Sequence, residues 1–139
     1  MKKLLFSFLL LSITHLYAQE VKLKDDNVIV NGKQIFKYEK VNNLQYSFYD
    51  AEGNEILMYK YQNNQTQDYQ GDDYFTINFI TLKRKVETSD FNLIYAASPR
   101  KNMQKLMRLL FKEKVFDVNG NINAGKLTVF SEKYNQEIK

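Results

Sequence analysis

The side chains best able to do chemistry in this chain are cations, aspartates and tyrosines. Its only histidine, His15, lies among the first eighteen residues, and the chain has no cysteine and no tryptophan. Lys101, Lys105, Arg108 and Lys112 are spaced four, three and four apart, which places them on one face of a helix. Arg100 and Lys114 add to that charge, and Glu113 is the only acid between residues 99 and 114. Lys83-Arg84-Lys85 makes a second basic run. Arg100 and Lys101 fall in the first turn of the expected helix, where the macrodipole disfavours cations. A helix start carrying two cations suits a phosphate, sulfate or carboxylate. The same spacing also describes an ordinary solvated helix face.

Two acidic constellations offer other chemistry. Asp68, Asp72 and Asp73 lie in a polar loop, and two carboxyl groups held across a cleft can hydrolyse a glycosidic bond. Against that, neighbours such as Asp72 and Asp73 point apart in a strand, and aspartates commonly start turns. Asp117-x-Asn119-x-Asn121 opens like a calcium-binding loop. The positions that need the turn glycine, the apolar residue and the bidentate glutamate hold Ile122, Ala124 and Thr128. A helix-to-helix turn around Gly120 fits better, so neither a metal nor a cofactor is expected.

Tyr49, Tyr59, Tyr61, Tyr69 and Tyr74 flank the Asn- and Gln-rich loop. Tyrosines on an open sheet face stack on sugar rings or build protein contacts. Tyrosine is also a good strand former, and the missing tryptophan argues against a dedicated sugar platform. Without histidine or cysteine beyond residue 18, there is no Ser-His-Asp triad, thiol nucleophile or common structural zinc site. No side chain there has an ordinary pKa near neutrality. The expectation is a protein that binds rather than catalyses.

The elements that must position these groups begin after an export signal. Residues 1–18, MKKLLFSFLLLSITHLYA, have a positive head, an apolar run from Leu4 to Ile13 and a short exit to Ala18. That run is about half the length needed to span a bilayer, so cleavage is expected rather than anchoring. Removing its two lysines lowers the formal charge from +4 to +2. Residues 19–139 are expected to form a single α+β domain, with strands over about 21–97 and helices over about 98–135.

Alternating Val21 and Leu23, then Asp25-Asp26-Asn27, predict a strand and turn; Asn31-Gly32 predicts a tight hairpin into Gln34 to Val41. Leu44, Tyr46 and Phe48 alternate with polar residues, and Ala51-Glu52-Gly53-Asn54 turns the chain into Ile56 to Tyr61. Phe75, Ile77 and Phe79 predict a strand running on to Leu82, and Phe91 to Ala96 a last one. Ser98-Pro99 opens a helix, with Met103, Leu106, Met107, Leu110 and Phe111 as its apolar stripe. A second helix runs from about Asn123 to Tyr134 on Leu127, Phe130 and Tyr134. The short turns predict an antiparallel meander of about five to seven strands followed by two C-terminal helices packed on one face.

Tyr17-Ala18-Gln19, Val28 to Lys33 and the basic stretch Lys105 to Tyr134 together resemble the layout of small uncharacterised exported proteins of Bacteroidota. That resemblance implies export and carries no activity with it. The expected function is an exported, periplasmic or secreted, non-enzymatic binding module that engages a protein or an anionic envelope polymer. An inhibitor-like or structural envelope protein and a small carboxylate-dependent glycan hydrolase are the alternatives. Nucleic acid is disfavoured as a partner by the low net charge and by export.

Overall fold

The structure, a computed structural model of the chain, describes residues 20–63 and 73–138. Residues 1–19, Asp68, Tyr69 and Asp72 lie outside the described residues. Seven strands form one antiparallel sheet in chain order: β1 (Val21–Lys24), β2 (Asn27–Val30), β3 (Lys33–Asn42), β4 (Gln45–Tyr49), β5 (Glu55–Gln62), β6 (Tyr74–Phe79) and β7 (Arg84–Thr88). Two helices follow, α1 (Pro99–Lys112) and α2 (Ala124–Tyr134). The antiparallel meander and the helix pair are as the turn spacing predicts.

The register explains how a sequence of alternating residues makes one wet and one dry face. Val28 pairs with Phe36, Tyr38 with Phe48, Phe48 with Leu57, and Leu57 with Phe79, so these side chains share one face. The helices cover that face: Phe36 meets Phe111 of α1, and Phe79 meets Phe130 of α2 edge to face at 6.2 Å. The opposite face carries Lys37, Tyr49, Lys60, Lys85 and their polar neighbours.

Both outer strands have their edges covered, which suppresses edge-to-edge pairing. The Leu23 amide of β1 donates to Gln104 of α1 at 3.1 Å. On β7 the Glu87 amide donates to the Asn135 side chain at 2.8 Å, and the Gln136 amide returns a bond to the Glu87 carbonyl at 2.7 Å.

Two predicted strands are corrected, and one that the pattern does not predict is added. Phe91 to Ala96 is not a strand: Phe91–Leu93 forms a 3₁₀ turn whose Asn92 amide is capped by the Asp90 carboxylate. Its Phe91 ring packs on Tyr61 and Phe75, so an apolar run that resembles a strand instead plugs one end of the core. β6 stops at Phe79 rather than Leu82, because Lys83 adopts φ +52° and its amide closes a turn onto the Ile80 carbonyl. The last strand is therefore Arg84–Thr88, earlier than expected. The helix starts follow capping chemistry, with the Ser98 hydroxyl accepting the Lys101 amide and the Asn123 side chain accepting the Lys126 amide.

Candidate functional site

The basic residues divide once folded. Arg100, Lys101, Arg108 and Lys112 stand exposed on α1, and none makes an ion pair among the described residues. Glu113, the nearest acid in sequence, is already engaged by Lys133 at 2.9 Å and by the Tyr134 hydroxyl. Its carboxyl is held below the usual range, chiefly by the hydrogen bond from Lys133.

Lys105 does not belong to the open face. Its ammonium donates to the carbonyls of Asn92 and Tyr95 at 2.9 and 3.1 Å, tying α1 to the 3₁₀ turn. Lys83, Arg84 and Lys85 likewise form no patch, because strand alternation sends neighbours to opposite faces. Arg84 reaches inward to the Thr128 hydroxyl of α2 at 2.7 Å, Lys85 pairs with Glu87 on the outer face, and Lys83 sits in the turn. The sequence run is thus dispersed, while α1 keeps Lys101, Arg108 and Lys112 on one face, with Arg100 about 100° round the helix.

The tyrosines also part company. Tyr49 and Tyr74 lie on the outer face, where the Tyr49 hydroxyl donates to Glu39 at 3.3 Å. Tyr59 and Tyr61 lie on the inner face, so no single aromatic platform exists among the described tyrosines. Tyr46 faces Tyr59 across the β4–β5 pair, and Tyr61 follows two residues along the same face. These three rings, with Leu44, Pro99, Asn102 and Met103, line a pocket of about 160 Å³ between the sheet and the first turn of α1.

The electrostatics of this pocket are those of neutral phenols. Burial raises the pKa of Tyr46 and Tyr59 above the ordinary tyrosine value. Tyr61 is pushed up to about 12, first by burial and then by its hydrogen bond to the Asp73 carboxylate. Asp73 is only 5% exposed, and its other carboxylate oxygen has no partner among the described residues. The Asn102 side-chain oxygen is likewise buried without a partner. Sequence reading passed over Asn102 and Tyr46 as helix and strand residues. The available signal was the Tyr46, Tyr59 and Tyr61 alternation combined with the β4–β5 register.

The calcium-like stretch is a turn. The Asp117 carboxylate accepts the amides of Asn119 and Asn121, both at 2.9 Å, which closes the turn. No group of three acidic, histidine or cysteine side chains able to hold a metal occurs among the described residues. No helix described here is long and apolar enough to cross a membrane. No protein-family model matches the chain, and comparisons with curated proteins and with solved structures find none similar to it.

Proposed function

We propose that this protein is an exported, non-enzymatic binding module that engages an anionic envelope polymer through the exposed face of α1. One observation carries this reading. Arg100, Lys101, Arg108 and Lys112 hold four positive charges on one helix without an ion pair among the described residues, and α1 contains no acidic residue. Two of them sit in the first turn, where they cost helix stability rather than add to it. A polyanion laid along the helix offsets that cost and gains entropy from released counterions. The export reading rests on residues 1–18, and the non-enzymatic reading on the lack of histidine and cysteine beyond them.

Retention of the protein comprising residues 19–139 on immobilised heparin across a salt gradient tests the proposal. The wild type should be retained at low salt and released as salt rises. The double variant Lys101→Glu with Arg108→Glu should pass through early, while its melting temperature stays level or rises, because an acid in the first turn favours the dipole. A wild type that is not retained at low salt, or a double variant retained equally, rules the proposal out.

A further inference from the structure

We propose that the pocket between the β4–β5 pair and the first turn of α1 binds a single neutral sugar ring. This goes beyond the basic face of α1 and does not depend on it. Tyr46 and Tyr59 are 5% and 7% exposed, yet neither hydroxyl has a hydrogen-bond partner among the described residues. Their hydroxyl oxygens are not among the buried unpartnered atoms, so they stay accessible from the open side of the pocket. The Asn102 side-chain oxygen, on the facing wall formed by α1, is buried and without a partner among the described residues. Three polar groups thus converge on one small space with their bonding capacity unspent.

Their chemistry selects the ligand. Tyr61 commits its proton to Asp73, so toward the pocket its oxygen can only accept. Asn102 offers an acceptor oxygen, while the Tyr46 and Tyr59 hydroxyls can each donate or accept. With Asn43 also lining the pocket, the set both accepts and donates, which fits a ligand carrying several hydroxyls. None of the lining side chains is charged, and Asp73 lies behind Tyr61, which disfavours an anion. The three tyrosine rings with Pro99 and Met103 provide apolar walls for the C–H faces of a ring. The volume, about 160 Å³, equals that of about five waters, which suits one ring and excludes a folded-back chain.

A sugar titration followed by aromatic ¹H–¹³C NMR tests this, using D-glucose, D-galactose and N-acetyl-D-glucosamine on the protein comprising residues 19–139. At least one sugar should shift the Tyr46 and Tyr59 ring signals saturably, while the signals of Tyr49 and the largely exposed Tyr95 stay still. Tyr59→Phe keeps the ring and removes only the hydroxyl, so it should weaken binding about tenfold without unfolding. Asn102→Leu should weaken it comparably. Lys101→Glu with Arg108→Glu should leave the titration unchanged, so loss of heparin retention and loss of sugar binding are separable. No saturable shift from any of the three sugars well above millimolar concentration overturns the proposal. So does an equal shift with benzoate, or a Tyr59→Phe variant that binds as the wild type does.

Discussion

Two turns of this protein are built alike and placed differently. Asp50-Ala51-Glu52-Gly53-Asn54 joins β4 to β5, and Asp117-Val118-Asn119-Gly120-Asn121 lies between α1 and α2. In each, the aspartate carboxylate accepts the amides two and four residues on, at 2.9 to 3.0 Å. In each, the glycine amide returns to the aspartate carbonyl, and the glycine takes φ near +85°. Their surroundings differ. A Cβ on Gly53 would meet nothing within 4 Å, whereas one on Gly120 would lie 2.7 Å from Ile35 and 2.9 Å from the Phe36 ring. The first turn is a local device; the second also closes the end of the core. A five-residue motif therefore specifies its own hydrogen bonds but says nothing about how much of the fold leans on them.

Substitution of the glycines gives the largest contrast. Gly120→Ala should cost about 2–4 kcal/mol, combining left-handed backbone strain with overpacking against Ile35 and Phe36. Denaturant titration would measure it, and loss of ring-current shifts at Phe36 would locate it. Gly53→Ala carries only the backbone contribution, about 1–2 kcal/mol. Equal costs for the two variants would break the contrast and return Gly120 to the status of a surface turn.

The smallest effect is the dependence on acid, where the turns should behave alike. Backbone amides hold the carboxyls of Asp50 and Asp117 below the usual aspartate value. A depressed folded pKa means the stabilisation is complete above the unfolded value, near 3.8, and is lost as pH falls through the folded one. Thermal melts of Asp50→Asn and Asp117→Asn should each show a shallower fall in stability below about pH 4 than the wild type, by similar amounts. A variant that flattens only one slope would show that burial near Gly120 reaches the carboxylate as well as the glycine.

Much of the fold was legible because its signals are local. The Asn31-Gly32 hairpin, the Ser98-Pro99 helix start and the Met103 to Phe111 stripe each follow from backbone preference or side-chain period, and each stands where expected. Phe91 to Ala96 misled because an apolar run states only that it will be buried. Whether it lies flat in a sheet or folds over its end depends on Tyr61 and Phe75, which come from other strands.

The candidate sites divide along the same line. The cationic face of α1 was written in helical spacing, yet the carbonyls that draw Lys105 away arrive from the preceding 3₁₀ turn. The basic run at 83–85 and the five tyrosines looked like groups because they are near in sequence. Strand alternation separates such neighbours and the register joins others, bringing Tyr46 against Tyr59, while the packing of α1 sets Asn102 across from them. By itself the sequence determined residue supply, charge and period: cations, phenols, no histidine or cysteine beyond residue 18, and an alternating meander before two helices. Tertiary structure alone decided which of those groups were spent on the fold and which were left unsatisfied. Hydrogen-bond partners and excluded volume are properties of neighbours in space, and the chain order does not carry them.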